Sequence, residues 1–337
     1  MGKKVLVTGS SGFLGQRLVE ILISRGYEVV GVDTTHSTFI DKNFIFTQGS
    51  VADFELMKKL TLGMDEVYHL AARVPLAARD RDFLDSNVLS PGIVAKCCAI
   101  NGVGSLLLVS SSAVYGLGRG YELKEDDQTL PFEIYGRSKL AGEESATRDL
   151  GKNTKLVILR PRTILGPSRL GIFATLFDWV EKGINIPVFG NIGYGLQFIG
   201  VDDMVDAMII TQSKGVGIYN VGAIKYSSLS EVLKTLISTN ASSSKVVKFP
   251  LIFISALKLA YNLKLSPFTP WHVEGYAKCL TVNTEKLQAL GWYPKDTTES
   301  ILIENYRSFA EKGNNGDSPH QKKIDNLLTK VISFFLK

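Results

Sequence analysis

The chain has 337 residues, of which 45% are apolar and 21% are charged, so it can bury a sizeable core and is not intrinsically disordered. Its 38 basic and 33 acidic residues give a formal charge of +5, which is mild for this length, and we expect no nucleic acid partner. The 3 cysteines cannot form a disulfide framework, no spacing resembles a metal site, and no uncharged apolar run reaches the roughly eighteen residues of a membrane span.

Short apolar runs alternate with helical patterns in the first half of the chain. The runs are nearly continuous in their apolarity, as is typical of strands covered on both faces of a parallel sheet. The predicted strands are Val5–Val7, Val29–Val32, Val67–His69, Leu106–Val109 and Leu156–Leu159. The predicted helices are Phe13–Arg25, Phe54–Leu60, Asp82–Ile100 and Arg137–Arg148. This alternation predicts an α/β fold with a doubly wound parallel sheet and right-handed crossovers.

The pattern loosens after about Pro161, where helical stretches and short strands mix and prolines become more frequent. We expect a first domain over residues 1–165, whose sheet is completed by segments near 196–222. Residues 166–312 would then form mainly a smaller, mixed α/β lobe that covers a ligand.

The end of the chain carries a third pattern. Residues 313–323 are rich in polar residues and glycine and predict a flexible linker. Apolar residues then recur at helical spacing over 324–337 beside several lysines, which predicts a basic amphipathic helix. Such a helix can dock on its own protein, mediate oligomerisation or lie on an anionic membrane surface. We expect a cytoplasmic homodimer, with peripheral membrane contact through this tail as an open alternative.

Three glycines follow the first predicted strand. Gly9, Gly12 and Gly15 lie in the segment Thr8–Gly15, directly before the first predicted helix. Glycines at this spacing permit a tight turn, a close approach of the backbone to a pyrophosphate, and packing of the helix on the strand. The pyrophosphate would lie at the helix N-terminus, where free N–H groups point at it. The pattern predicts a dinucleotide site, with a turn that binds no ligand as the alternative.

An aspartate ends the second predicted strand. A carboxylate at Asp33 can accept hydrogen bonds from both hydroxyls of an adenosine ribose and would repel a 2′-phosphate. Thr34, Thr35 and His36 follow, without an arginine that could neutralise such a phosphate. The sequence therefore favours NAD over NADP, and the alternative is that Asp33 is a solvated residue at a strand end.

A tyrosine and a lysine lie four residues apart at the start of the last of these helices. Tyr135 and Lys139 would share one helix face. A nearby ammonium stabilises a phenolate and lowers the pKa of a phenol from its ordinary value of about 10. A tyrosine tuned in this way can exchange a proton with a secondary alcohol while the carbon is oxidised or reduced. The pair alone is weak evidence, since this spacing occurs by chance in many helices.

The segment Ser110–Gly116 supports the same interpretation. It follows the strand Leu106–Val109, at the carboxyl end where open α/β sheets bind their ligands. A hydroxyl there could hold the reacting oxygen. For Ser110 and Ser112 we expect the alternative, which is that they satisfy groups in a turn at the strand end.

Together these motifs resemble the extended short-chain dehydrogenases/reductases, of the NAD-dependent epimerase/dehydratase type. The resemblance covers residues 4–312 and implies a Rossmann domain with a substrate-binding lobe. The segments that carry it are Thr8–Gly15, His69–Ala72, Ser86–Val88, Ser110–Gly116, Tyr135–Lys139, Leu159–Pro167, Val201–Asp203 and Leu290–Pro294.

The resemblance also implies roles for individual residues. Tyr135 would be the acid/base, Lys139 would bind the nicotinamide ribose, and Ser111 would be the hydroxyl partner of the substrate. Asn87 would be a structural residue near the active site. The implied cofactor contacts are Gly9, Gly12, Phe13, Leu14, Gly15, Asp33, Val51, Leu70, Ala71, Ala72, Tyr135, Lys139 and Pro161.

The substrate is suggested by departures from the family pattern. The family's dehydratases carry an Asp–Glu pair where this chain has Ser112 and Ala113, so dehydration is not expected. The arginines with which family members commonly grip a nucleoside diphosphate are missing at their usual positions. Arg160 is expected to pair internally. We expect substrate contacts from Ser111, Arg162, Thr163, Arg169 and Gln197.

Three interpretations remain open at this point. The first is a nucleotide-sugar 4-epimerase or reductase. The second is an enzyme like the hydroxysteroid dehydrogenases, acting on a lipophilic alcohol, because residues 250–271 resemble an apolar insertion of that branch. The third is a non-catalytic NAD-binding sensor, against which the intact Ser111, Tyr135 and Lys139 argue. In the first two the partner is a small-molecule substrate.

Overall fold

The computed structural model describes residues 2–74, 83–167, 173–189, 193–249 and 280–311. Its strands, in chain order, are β1 (Lys4–Thr8), β2 (Glu28–Asp33), β3 (Phe44–Gln48), β4 (Glu66–His69), β5 (Ser105–Val109), β6 (Glu122–Leu123), β7 (Lys155–Pro161), β8 (Thr163–Leu165), β9 (Ile186–Phe189), β10 (Phe198–Gly200), β11 (Gly217–Val221), β12 (Val246–Phe249) and β13 (Thr281–Val282). Seven of them form one parallel sheet in the order β3-β2-β1-β4-β5-β7-β11.

Helices connect these strands. They are α1 (Phe13–Ser24), α2 (Phe54–Leu60), α3 (Ser90–Asn101), α4 (Ile134–Asp149), α5 (Phe173–Glu181), α6 (Val201–Lys214), α7 (Leu229–Thr239), α8 (Glu285–Gln288) and α9 (Thr298–Glu311). A π-helical segment, Leu84–Leu89, leads directly into α3, and a 3₁₀ turn, Ser112–Tyr115, follows β5. None of the helices in the described part of the chain is long and apolar enough to cross a membrane.

The large sheet is buried on both faces, which explains why its strands are almost continuously apolar. Successive side chains of a strand point to opposite faces. Val5 and Val7 of β1 accordingly belong to a core shared with α1 and α6, whereas Leu6 belongs to a second core shared with α3. All three side chains are fully buried. Every predicted strand lies inside an observed strand of this sheet, and the predicted doubly wound α/β fold is confirmed.

The order of the strands reverses at β1, which lies between β2 and β4. Thr8 at the end of β1 is in register with Val32 of β2 and with His69 of β4. The chain therefore leaves β1 between two strands whose connections run in opposite directions. Such a switch point forms a crevice outside the carboxyl ends of the strands, and ligands of open α/β sheets bind there.

Some boundaries differ from those in the sequence analysis. The helix predicted from Arg137 begins at Ile134, so Tyr135 lies in its first turn. Of the segment near 196–222, β11 completes the large sheet, whereas β10 pairs with β8 in a small sheet of its own. The domain limits at 165 and 166 stay predictions. The predicted linker and tail, residues 313–337, and the apolar stretch 250–271 lie outside the described residues.

Close packing joins the π-helical segment to α4. A methyl group added at Gly142 of α4 would overlap the backbone carbonyl oxygen of Asn87. This contact brings α4, and with it Tyr135 and Lys139, against the helix that follows β4. Because the obstacle is backbone, a larger side chain at this position would push the helices apart.

Replacing Gly142 by alanine should lower the free energy of unfolding by about 1–3 kcal/mol, since overpacking a close helix contact forces the backbone to shift. Urea unfolding measures the change. Glu144→Ala, at an exposed position of the same helix, is the matched control and should change stability by less than about 0.5 kcal/mol. Equal stability of G142A and E144A would contradict the packing described.

Candidate functional site

The glycine-rich loop bridges the two strands that flank β1. Gly9 adopts a φ of 71°, in the left-handed region that favours glycine. Its N–H donates to the carbonyl of Val32 at 2.8 Å, at the end of β2. On the other side, a Cβ at Gly9 would lie 2.8 Å from the backbone nitrogen of Ala71, just beyond β4. The loop therefore fills the switch point so closely that only glycine fits.

The start of α1 fits the pyrophosphate of a dinucleotide. A Cβ at Gly15 would overlap the carbonyl of Gly9, which explains why this position packs only as glycine. A Cβ at Gly12 would meet only that carbonyl oxygen, at 3.2 Å, so the backbone is accessible there. No side chain of the described residues caps the helix, and its first turn carries no acidic residue. A helix start of this kind favours an anion beside its first turn, because the N–H groups and the helix dipole attract negative charge.

Asp33 binds the glycine-rich loop from the end of β2. Its Oδ2 accepts a hydrogen bond from the N–H of Ser11 at 3.1 Å, and its Oδ1 accepts one from Thr35 at 2.9 Å. Both oxygens keep further lone pairs for a ribose. Its backbone carbonyl accepts from Gly49 at 2.9 Å, which ties the segment containing the buried Val51 to the same strand end. These residues, with the half-buried Leu70–Ala72, surround the crevice.

Lys139 connects α4 to the end of β5. Its Nζ donates to the carbonyl oxygen of Val109 at 2.6 Å, and the side chain is buried. Burial lowers the pKa of Lys139 to about 8, against a raising effect of the Glu143 carboxylate. The amine is therefore still mainly protonated at neutral pH, but less completely than an ordinary lysine, so its charge is sensitive to its surroundings.

Tyr135 and Ser111 lie at the same edge of the sheet. Tyr135 is half-buried in the first turn of α4, with its ring edge-on to Phe83 at 6.3 Å between centroids. Ser111 is the first residue beyond Ser110 at the end of β5, and its Oγ accepts from the N–H of Ala113 at 3.2 Å. The fold thus brings the three predicted catalytic residues to the carboxyl ends of β4 and β5. Their catalytic roles stay predictions.

A buried histidine stabilises the crevice from below. The Oγ of Thr8 accepts from the N–H groups of Leu70 and Ala71, both at 3.2 Å, and lies 2.7 Å from Nδ1 of His69. Because the Thr8 oxygen already accepts two bonds, its hydrogen points at Nδ1. Ser90 donates to the carbonyl of Ser86 at 2.7 Å, so Nε2 of His69 carries the ring proton and faces Ser90 Oγ at 3.4 Å.

This arrangement requires a neutral imidazole. Burial, together with the positive charge of Lys139, lowers the pKa of His69 to about 3. In the sequence, His69 stands out only as part of a motif. Its contacts could not be anticipated, because Thr8 lies on a different strand of the sheet and Ser90 lies on α3.

Asn87 links the π-helical segment to α4, near the site as expected. Its Oδ1 accepts from the N–H of Arg73 at 2.8 Å, and its Nδ2 donates to the carbonyl of Arg73 at 3.0 Å. The same Nδ2 donates to Ser138 Oγ at 3.1 Å, and Ser138 donates to the carbonyl of Tyr135 at 2.8 Å. The predicted acid/base is therefore held at its backbone by a buried polar chain.

The predicted substrate residues have different environments. Nη1 of Arg162 donates to the buried Oγ of Ser112, the residue after Ser111, at 3.0 Å. Thr163 starts β8, and Pro161 ends β7 in register with Val221. The buried Gln197 donates to the carbonyls of Ala223 and Val282 and accepts from the N–H of Val282 at 2.8 Å.

The contact of Gln197 with the substrate stays a prediction, and a ligand would compete there with three internal hydrogen bonds. Arg169 lies outside the described residues.

An ion pair behind the site is the feature that sequence reasoning only partly found. Arg160 was expected to pair internally, and it does, with Glu143 of α4 at 2.7 Å. Ser110 also donates to this carboxylate, whereas we expected it to satisfy groups in a turn. One hint that Glu143 belongs near the site was present in the sequence, because Glu143 lies four residues after Lys139 and therefore on the same helix face.

More than half of the chain matches one known protein family. Residues 5–222 match the NAD dependent epimerase/dehydratase family. The chain is 33% identical to the uncharacterized protein y4nG of Sinorhizobium fredii, over 99% of this chain and 87% of that protein. It is 31% identical to a UDP-glucose 4-epimerase of Vibrio cholerae, over 62% of this chain and 66% of the relative.

A fourth similarity concerns a different substrate class. The chain is 29% identical to a decarboxylating sterol-4-alpha-carboxylate 3-dehydrogenase of Mus musculus, over 62% of this chain and 59% of the relative. This chain thus matches less than two thirds of the length of each of these two enzymes.

The fold is similar to that of the UDP-glucuronic acid 4-epimerase of Bacillus cereus, solved in complex with NAD. The TM-score is 0.74 at 20% identity, covering 92% of this chain and 99% of that one.

The neutral state of His69 predicts a specific acid sensitivity. An unfolded imidazole binds a proton below a pKa of about 6.5, whereas the folded one does so only near 3. Its contribution to stability is therefore present above pH 6.5 and lost as the pH falls toward 3, by up to roughly 1.4 kcal/mol per pH unit. The free energy of unfolding of His69→Gln should fall less steeply than that of the wild type over this interval.

Denaturant unfolding at several pH values tests this expectation. The matched control is His36→Gln, which removes an exposed imidazole and should keep the wild-type slope. An H69Q slope equal to that of the wild type would show that the imidazole is not held neutral.

Proposed function

Because the chain belongs to the NAD-dependent epimerase/dehydratase family, we propose that it oxidises or reduces a secondary alcohol carbon of a nucleotide sugar, as a 4-epimerase or a reductase. The chain is an NAD-dependent enzyme of the extended short-chain dehydrogenase/reductase type. The observation that carries the proposal is the placement of Tyr135 and Lys139 on the first turns of α4, with the Lys139 amine bound to the end of β5 at 2.6 Å.

The cofactor would lie across the switch point. The N–H groups at the start of α1 would hold its pyrophosphate, and Asp33 would accept hydrogen bonds from the adenosine ribose. A 2′-phosphate would meet the Asp33 carboxylate, which favours NAD over NADP. When bound, NAD takes up or returns the hydrogen of the carbinol carbon together with its electron pair.

The proton of the alcohol would pass to Tyr135. An ammonium at Lys139 stabilises the phenolate of Tyr135, so that the phenol can act as a base near neutral pH. The hydroxyl of Ser111, at the end of β5, would hold the reacting oxygen by a hydrogen bond. The burial of Lys139 makes its charge effective, because water screens it little.

Oxidation and reduction fit the described residues better than elimination. Dehydratases of this family have acidic residues where this chain has Ser112 and Ala113. Ser112 instead accepts a hydrogen bond from the guanidinium of Arg162, so a basic group contacts the residue after Ser111. A basic group at this turn favours a substrate with an anionic group near the reacting carbon, and we propose that Arg162 contacts that group.

A lipophilic secondary alcohol is the second candidate. The similarity to a sterol-4-alpha-carboxylate 3-dehydrogenase favours it, at nearly the same identity as the similarity to a UDP-glucose 4-epimerase. The same Tyr135, Lys139 and Ser111 would perform the reaction, and only the substrate-binding lobe would differ.

Ligand-dependent melting separates the two candidates. In the presence of NAD, UDP and UDP-glucose should raise the melting temperature, since a ligand at a hundredfold excess over its Kd stabilises by about 2.7 kcal/mol. Uridine, which lacks the diphosphate, is the matched control and should have a smaller effect. Stabilisation by cholesterol without any effect of UDP would favour the second candidate and contradict the first.

Tyr135→Phe should lower the turnover of the substrate by at least roughly a hundredfold, because the proton acceptor is lost. The affinity for NAD, measured by calorimetry, should change little. Tyr121→Phe removes the hydroxyl of an exposed tyrosine and should leave turnover unchanged. Full activity of Y135F would refute the acid/base assignment.

A further inference from the structure

Glu143 and Arg160 form an ion pair in the interior behind the site. Nη2 and Nε of Arg160 donate to the two carboxylate oxygens of Glu143 at 2.7 and 3.0 Å. Both side chains are only 5% exposed. Two parallel charge-assisted hydrogen bonds of this kind fix the orientation of both partners. Ser110 donates a further hydrogen bond to the same carboxylate.

The carboxylate attaches α4 to the end of β5. Glu143 lies four residues after Lys139, so both side chains leave the helix on the same face. Lys139 binds the carbonyl of Val109, and Glu143 binds the hydroxyl of the next residue, Ser110. Two successive residues of the strand end are thus held by two successive turns of the helix. This double attachment fixes the position of α4 along the strand direction of the sheet.

The guanidinium attaches the turn that follows Ser111. Nη1 of Arg160 donates to the hydroxyl of Tyr115 at 3.0 Å, and the guanidinium carbon lies 5.0 Å from the centroid of its ring. Tyr115 ends the 3₁₀ turn and donates to Oδ1 of Asn220 on β11 at 2.9 Å. Arg160 therefore joins the 3₁₀ turn that follows Ser111 to α4, because it binds Tyr115 of the turn and Glu143 of the helix.

Glu143 also balances the charge of Lys139. Among the described charged and titratable groups, Tyr135 and Glu143 lie one turn before and one turn after Lys139 on the same helix, and His69 faces Lys139 from β4. His69 is neutral above about pH 3, so it supplies no charge. Arg160 binds both oxygens of the Glu143 carboxylate. An interior ion pair stabilises a fold little, because the loss of hydration offsets the attraction, so a contribution to the site is the stronger reason for this pair.

We propose that Glu143, held by Arg160 and Ser110, is a positioning residue: it fixes α4 against the turn of Ser111 and supplies the counter-charge that keeps Lys139 an ammonium. The inference rests on the proposed functions of Tyr135, Lys139 and Ser111. It adds to them a residue that touches neither substrate nor cofactor and acts through Lys139.

Titration of Lys139 tests the proposal without any turnover. The protein is labelled with ¹³C-lysine, and the ε-carbon signal of Lys139 is identified by its loss in Lys139→Arg. In the wild type its midpoint should lie at about pH 8. In Glu143→Gln the midpoint should fall by roughly one pH unit, because the neighbouring negative charge is gone. Glu143→Asp keeps the charge and should restore most of the wild-type value.

Glu66→Gln is the matched control. It removes another buried carboxylate, which pairs with Lys3 near the amino end of β4. It should leave the midpoint of Lys139 unchanged even if stability falls. An unchanged midpoint in a folded E143Q would overturn the proposal, and so would an equal shift in E66Q.

A second variant keeps the test decisive if the unpaired Arg160 prevents folding. Glu143→Gln combined with Arg160→Met removes both charges and strands neither. The midpoint of Lys139 should still fall, since Lys139 interacts directly with Glu143, and an unchanged midpoint in this double variant would equally overturn the proposal.

The pH dependence of turnover then separates the proposed role of Glu143 as a counter-charge from the proposed role of Lys139 in the reaction. An alkaline limb that moves to lower pH together with the midpoint supports the use of the Lys139 charge in the reaction. A limb that stays while the midpoint falls refutes the proposed function of Lys139, but leaves the counter-charge of Glu143 standing.

Discussion

Parallel pairing imposes the constraint from which the site arises. When every strand of the large sheet runs in the same direction, all carboxyl ends meet at one edge. The glycine loop after β1, Leu70 after β4 and Ser111 after β5 therefore lie side by side, although they are far apart in the chain. The return of α4 along β5 adds Tyr135 and Lys139 to this edge. A cofactor that spans the switch point would thus reach all of these residues.

The polar groups beneath this edge are buried and paired with one another. His69 receives a hydrogen bond from Thr8, and Glu143 receives bonds from Arg160 and Ser110. In a poorly polarisable interior each such group is costly if it loses its partner, so the networks permit few alternative arrangements. The same property makes the charge of Lys139 responsive to a single neighbour. Rigidity and electrostatic tuning of the site therefore have a common origin.

The sequence was informative where local patterns determine structure. Continuous apolar runs predicted five strands, and the glycine spacing predicted the loop that fills the switch point. The edge strand β3 was missed because its apolar run, Phe44–Phe46, is only three residues long and is followed by Thr47 and Gln48. The three bonds of Gln197 and the pairing of Glu143 with Arg160 depend on residues brought together only by the folded sheet. No local pattern specifies such contacts, because they form only when distant segments of the chain pack together.

The π-helical segment around Asn87 changes the direction in which its side chains point relative to those of α3, into which it leads. A π turn contains about one residue more than an α turn, so the residues before it are rotated relative to α3 by about 100°. Within this segment Asn87 faces Arg73 and Ser138, and at the start of α3 Ser90 faces His69. An insertion or deletion within Leu84–Leu89 would therefore disconnect the histidine from the helix of Tyr135, even if every side chain of the network were retained.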